Sequence, residues 1–267
     1  MDIPSVYIDH EYAKGVLMEF LKLPLHSTDE LFFKFRTSLD SYIFKSHMID
    51  SRIRFLFHRG HRENKVLLVA HVDTFFTQER GYKITSHNLI EYPKGNIISD
   101  DPERGLGADD RAGCTMLYLL KDMGHSLLIL DSEETSTMSA RWLTNNFPSL
   151  SCEINSHQFM IELDLQGNSN FKTYHIGTPE FEEYIKMEFG FNKVDSNSFS
   201  KGGTDIVDLA KEICGVNLSV GYNNQHRVNE SININYWYET LTKLHTFLQK
   251  PDIPKFERKM EHIGYEL

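Results

Sequence analysis

Cysteine is scarce in this sequence: Cys114, Cys152 and Cys214 make an odd count, and none belongs to a CxxC pair. That usage excludes a disulfide framework and fits ordinary buried thiols in a reducing compartment. Long apolar runs are also missing, since none reaches the roughly eighteen residues that mark a membrane-spanning helix. Positive charge is in deficit, with 28 basic side chains against 38 acidic ones and a formal net charge of −10. Phosphate backbones are bound by basic faces, so a nucleic-acid partner is excluded. Surplus carboxylates become favourable where divalent cations sit among them. The amino terminus, Met1-Asp2-Ile3-Pro4, carries no basic stretch followed by an apolar segment. No signal peptide is read there, and the expected location is the cytoplasm.

What is present suffices for a sizeable core: 267 residues, of which 40% are apolar. No repeat, low-complexity segment or linker divides the chain, so a single domain over residues 1–267 is expected. Apolar residues at helical spacing predict a helix over 10–22 and another within Thr28–Lys45. Ile53–His58 and Val66–Ala70 read as strands, the second a continuous apolar run of the kind buried on both faces. Residues 82–98 read as an antiparallel excursion. A helix follows over Arg111–Asp122, stopped by Gly124 in the position of a left-handed cap. Leu127–Leu130, Phe159–Leu163 and Val216–Val220 are further strands. Helices are expected near Ser139–Asn146, from Thr178-Pro179 onward, over Asp205–Ile213 and over Ile234–Leu248. This alternation predicts an α/β three-layer sandwich with a mixed, largely parallel sheet between helices.

Five polar segments lie at the ends of these strands, where open α/β sheets build their sites. His71 and Asp73 follow VLLVA, and an imidazole that binds metal needs an acceptor to orient its other nitrogen. Asp109 and Asp110 open a helix between glycines, which permit close backbone approach and unusual dihedrals. Alone, the first pair reads better as a core histidine beside a turn aspartate, and the second equally well as a helix cap. Glu133 and Glu134 follow LLIL, and alone would be a solvated surface pair. A hydrolytic metal site needs one carboxylate on metal and another to take a proton from water. Asp164 ends a strand, and His226 lies in the polar loop QHRVNE.

Taken together, HVD, GADDRAG, EE, a strand-final Asp, GGTD and HRVNE resemble, in order, the co-catalytic di-zinc exopeptidases. These include aminopeptidase, carboxypeptidase G and peptidase T relatives, and the peptidase T type of tripeptidase is the most similar. The resemblance rests on AHVDT at 70–74, LGADDRAG at 106–113, GGTD at 202–205 and GYNNQHRVNE at 221–230. It implies His71 and Asp164 on one ion, Glu134 and His226 on the other, and Asp109 bridging both. It further implies Asp73 orienting His71, Glu133 as general base, and a cis peptide bond between Asp109 and Asp110. Two divalent ions are implied, zinc by preference, with manganese or cobalt compatible with mixed nitrogen and oxygen donors.

Lid-bearing relatives insert about a hundred residues, a typical domain size, between the strand-final Asp and GGTD. Here only Leu165–Lys201 lies between them, so no lid or dimerisation domain is expected, and GGTD is read as pocket wall. Loops 75–105 and 165–201, with Tyr82, Tyr92, Phe171 and Tyr174, are expected to line a shallow cleft. The leading expectation is an aminopeptidase acting on short peptides. An N-acyl amino acid deacylase with the same chemistry is the alternative enzyme, and a metal-binding protein without catalysis is the alternative of another class. The motifs leave the oligomeric state open.

Overall fold

In the computed structural model, which describes residues 8–26, 28–78, 87–101, 103–194 and 203–258, the predicted alternation of strands and helices is realised. The chain opens with α1 (His10–Leu21) and α2 (Asp29–Ser38), then the hairpin of β1 (Ile43–Ser46) and β2 (Arg54–His58). β3 (Leu67–His71) is followed by β4 (Leu89–Tyr92) and β5 (Asn96–Ser99), then α3 (Ala108–Leu120) and β6 (Ser126–Leu130). Next come α4 (Met138–Asn146), α5 (Pro148–Ile154), β7 (Met160–Leu165), β8 (Asn170–Lys172), α6 (Pro179–Phe189) and β9 (Asn192–Lys193). The last elements are α7 (Asp205–Leu209), β10 (Gly215–Ser219), β11 (Tyr222–Asn223), β12 (Ser231–Asn233) and α8 (Ile234–Leu248).

The main sheet has the order β1-β2-β6-β3-β7-β10-β8-β9. β6, β3, β7 and β10 run parallel through its centre, and β1, β2 and β8 pair antiparallel toward the edges. Side chains alternate across a strand, so each central strand feeds two cores. Leu68, Ala70, Leu127, Ile129, Ile161 and Leu163 face the layer of α1, α3, α6 and α8. Leu67, Val69, Leu128, Leu130 and Met160 face the layer of α4, α5 and α7. Each such buried aliphatic side chain stabilises the fold by about 1.5–3 kcal/mol relative to exposure. That two-sided demand is why VLLVA and LLIL, which form β3 and β6, read as unbroken apolar runs. The second sheet, β11-β12-β5-β4, contains the predicted antiparallel excursion, of which residues 82–86 lie outside the described residues.

Several boundaries differ from the sequence reading. α2 lies within the expected Thr28–Lys45 stretch and ends where Leu39 turns extended, and Lys45 falls in β1. α7 stops at Leu209 instead of Ile213, since Ala210 is extended and Ile213 bridges Glu257 in the tail. α5 was not expected; Pro148 sits in its first turn, where the missing N–H costs nothing. Between Asp164 and Gly203, the described residues extend the sheet edge through β8 and β9 and add α6 beside α8.

α3 is held from several sides. Gly113 lies where a Cβ would come within 2.2 Å of the Leu163 carbonyl oxygen, so only glycine lets α3 approach β7 this closely. Trp237 on α8 donates its indole N–H to the Ala112 carbonyl at 3.1 Å. The buried guanidinium of Arg111 donates to carbonyls of Leu21, Leu23 and Pro24, satisfying the carbonyl end of α1.

Two buried histidines brace the start of β6. The Val66 N–H donates to His125 Nδ1 at 3.1 Å, so Nε2 carries the proton it donates to Leu248 O at 3.0 Å. His157 donates through Nδ1 to Ile154 O at 2.9 Å, and its Nε2 lies 2.7 Å from Ser126 Oγ. Burial, with nearby positive groups, pushes both imidazoles down to about 4. Their neutral forms therefore contribute stability above the ordinary imidazole value of 6.5, and it is lost as pH falls toward 4. His125→Gln should cost about 1–3 kcal/mol at pH 7. Its deficit relative to the wild type should narrow by pH 4.5 in urea unfolding; a deficit independent of pH would contradict the assigned protonation.

Candidate metal centre

The predicted site residues converge where the parallel strands end. His71 is the last residue of β3, Asp164 the penultimate residue of β7, and Glu133 and Glu134 follow β6 by a short turn. Asp109 arrives from the first turn of α3, and His226 from the loop between β11 and β12. The Asp109–Asp110 peptide is cis.

Asp109 sits between the two imidazoles. Its Oδ1 lies 3.2 Å from His71 Nε2, and its Oδ2 lies 3.1 Å from His226 Nε2. Asp164 Oδ1 is 3.5 Å from His71 Nε2, and Glu134 Oε1 is 2.9 Å from His226 Nε2. This forms two clusters joined by one carboxylate. Despite these approaches, His71 Nε2 and Glu134 Oε1 are buried with no hydrogen-bond partner. Buried polar atoms are rarely left so, and nitrogen and oxygen donors converging on shared points fit a cation between them. His71, Asp109 and Asp164 could therefore hold one divalent ion, and Asp109, Glu134 and His226 a second.

Asp110 also comes within coordination range of His71 and Asp164. Its carboxylate, however, already accepts the His71 N–H at 3.2 Å and the Gly113 N–H at 2.9 Å. It is better suited to fixing the backbone of His71 than to binding an ion.

Supporting contacts fix each side chain. His71 Nδ1 lies 2.9 Å from the Asp73 carbonyl oxygen and 3.3 Å from its carboxylate, leaving Nε2 to face the centre. The Asp73 carboxylate also accepts the backbone N–H groups of Glu133 and Glu134, at 3.1 and 3.2 Å. Asp73 thus ties the β3 and β6 ends together, beyond the orienting role expected of it. The Asp164 backbone exchanges hydrogen bonds with the Asn217 side chain, and the Tyr222 hydroxyl lies 2.9 Å from Asp164 Oδ1. Phe75 stacks on the His226 ring, with centroids 4.9 Å apart.

The electrostatics show a cluster short of positive charge. Burial pushes the Glu134 carboxyl up to about 7 and Asp164 up to about 6, with Asp109 adding to both. Burial also drives Glu133 well above its usual range, reinforced by Asp164, Asp205 and Glu134. Burial alone would lower both imidazoles, but the carboxylates override it and push His226 up to about 10. Dications in the two clusters would reverse the carboxylate shifts.

The clusters open into a cavity of about 370 Å³ whose wall includes Glu133, Gly203, Thr204, Tyr174, Lys172 and Arg141. Gly203 and Thr204 thus lie in the pocket wall, as read from GGTD; Gly202 lies outside the described residues. Of the expected cleft aromatics, Tyr174 lines the cavity. Phe171 instead points into the core on the other side of the sheet, one residue from Lys172, because a strand alternates faces. Tyr92 is exposed on β4 away from the cavity wall, and Tyr82 lies outside the described residues. Tyr222, Asn217, Glu162 and Glu230 were not anticipated. A polar or ionisable residue inside an otherwise apolar strand, as with Glu162 and Asn217, was the available signal.

No protein-family profile and no curated protein matches the sequence. Solved structures do match. The chain is similar to aminopeptidase PepT from Bacillus cereus, with TM-score 0.61 and 15% identity over 91% of this chain and 99% of that one. A tripeptidase from Staphylococcus aureus gives TM-score 0.61 and 15% identity over 91% and 98%. A TET aminopeptidase from a marine sediment archaeon of the Thaumarchaeota gives TM-score 0.62 and 9% identity over 91% and 98%. The chain has the fold of these aminopeptidases.

Removing one histidine should affect one ion more than the other. By equilibrium dialysis with zinc, His71→Ala and His226→Ala should each reduce uptake from two ions per chain toward one, and Asp109→Ala should reduce both. Saturating ion at a hundred times its dissociation constant should stabilise the wild type by about 2.7 kcal/mol for each ion bound. Unchanged stoichiometry in all three variants would remove these residues from the ligand set.

Proposed function

We propose that this chain is a metal-dependent peptidase, an aminopeptidase that hydrolyses short peptides. The observation that carries the reading is Asp109, whose two oxygens each face an imidazole within about 3.2 Å beside buried nitrogen and oxygen atoms that lack partners. A carboxylate in that position can bridge two ions, and paired ions of this kind occur in aminopeptidases. Bound there, two divalent ions would polarise the substrate carbonyl and promote ionisation of a water, with zinc favoured by the two imidazoles.

The protein groups have separable tasks. Glu133 lines the cavity and is the group placed to take a proton from the attacking water and return it to the leaving amine. Asp73 holds the backbone of Glu133 and the ring of His71 in one frame, so base and ligand move together. Tyr222 and Asn217 keep Asp164 from rotating away. A cavity of about 370 Å³ admits a short peptide more readily than a folded chain.

Lys172 and Arg141 on the wall support a second reading. They suit a substrate carboxylate, which a short peptide and an N-acyl amino acid both carry. A deacylase would use the same base and the same ions. A metal-binding protein without catalysis would have no need of a proton acceptor at Glu133.

Glu133→Gln should keep both ions while turnover falls about a hundred- to ten-thousand-fold. Near wild-type turnover in that variant would remove Glu133 as base. Chelation should abolish activity, and peptides with a free amino terminus should be cut in preference to their acetylated forms. Equal cleavage of the two would overturn the aminopeptidase reading, and preference for N-acyl amino acids would install the deacylase.

A further inference from the structure

We infer that Glu230 is a positioning residue that sets the distance between the two halves of the metal centre; this rests on the di-metal reading above. Glu230 closes the loop that carries His226, and its carboxylate is almost fully buried. Its two oxygens accept hydrogen bonds from a different part of the chain. Oε2 takes the Gly107 N–H at 2.7 Å, and Oε1 takes the Asp109 N–H at 3.0 Å. One side chain thus holds the backbone of the bridging aspartate while its own backbone belongs to the loop of His226.

Elsewhere that loop is held by Phe75 stacked on the His226 ring and by the Asn224 amide, which donates to the Asn229 carbonyl. His226 is 42% exposed at the side chain, has a left-handed φ of +62°, and follows Asn224 at φ +58°. Such dihedrals are uncommon for side chains other than glycine and persist where neighbours enforce them. The Glu230 N–H donates to Arg227 O at 3.0 Å, so the anchoring carboxylate and the turn after His226 form one unit. Gly105 closes the clamp from the opposite side. A Cβ there would lie 2.7 Å from Glu230 Oε2 and 2.5 Å from the Arg227 carbonyl oxygen.

A carboxylate is the group this role needs. Both contacts come from N–H donors, so both oxygens must accept. Glutamine keeps the size but turns an NH2 toward one of those donors. The Asp109 segment should then retreat from the His226 loop, with the fold otherwise retained. Removing such outer partners typically lowers metal affinity about 10–100-fold.

The test is zinc binding by competition with a chromophoric chelator, together with the zinc-induced rise in melting temperature, for wild type, Glu230→Gln and Gly105→Ala. The expected result is a 10–100-fold loss of affinity in both variants, with a smaller zinc-induced rise in melting temperature than in the wild type. A merely structural glutamate would instead lower the melting temperature of metal-free and metal-loaded protein equally and leave zinc affinity unchanged; that result overturns the inference. Wild type that takes up no zinc would defeat the di-metal reading itself, a distinguishable failure. Should neither variant fold, a crystal structure of the zinc-loaded wild type decides. Glu230 on the N–H groups of Gly107 and Asp109 supports the clamp, and Glu230 turned away from them overturns it.

Discussion

Carboxylates gathered in a low-dielectric interior repel one another and lose their hydration, and this constraint organises the rest of the molecule. Asp109, Asp110, Glu133, Glu162, Asp164 and Asp205 all cluster around His71 where the strands end, and burial is the largest influence on each. Some of the cost is met by directed hydrogen bonds. Asp73 and Asp110 accept backbone N–H groups, and Glu162 accepts the Thr204 hydroxyl at 2.6 Å. The remainder falls on Asp205, whose oxygens lack hydrogen-bond partners, and on Asp109, Glu134 and Asp164, which converge on the two histidines.

The scaffold supplies rigidity where that convergence needs it. The central parallel strands are buried on both faces, so their ends have little freedom to adjust. Side chains from neighbouring strand ends then brace one another: Asp73 reaches across to Glu133 and Glu134, and Asn217 and Tyr222 reach across to Asp164. Asp109 and His226 come instead from a helix start and a loop. Their placement depends on contacts made at long range, through Glu230, Gly113 and Trp237.

The wall of the cavity is chemically different from its floor. The floor is acidic, whereas Lys172 and Arg141 bring positive charge to the wall. Lys172 is buried beneath Tyr174, with its ammonium 4.5 Å from the ring centroid, and Arg141 pairs with Asp208 at 2.9 Å. A peptidase of the proposed kind draws on both surfaces: the acidic floor for the ions and the wall carrying Lys172 and Arg141 for the substrate.

Local sequence determined the elements that depend on local physics. The runs VLLVA and LLIL were read as strands and form β3 and β6, buried throughout, and α8 began and ended where its spacing placed it, at Ile234 and Leu248. His71, Asp109, Glu133, Glu134, Asp164 and His226 were singled out by the joint order of their motifs, which resembles the co-catalytic di-zinc exopeptidases; no single segment was decisive. Short elements were not legible: α5 has seven residues and β8 three, too few for a periodicity to emerge. Nor could sequence foretell that Phe171 would enter the core while Lys172 joined the cavity wall, because that depends on the register in which β8 pairs with β10. Tertiary structure alone joined Glu230 to Asp109, 121 residues away. A hydrogen bond between distant segments leaves no periodic trace, and only the folded chain brings its donor and acceptor within reach.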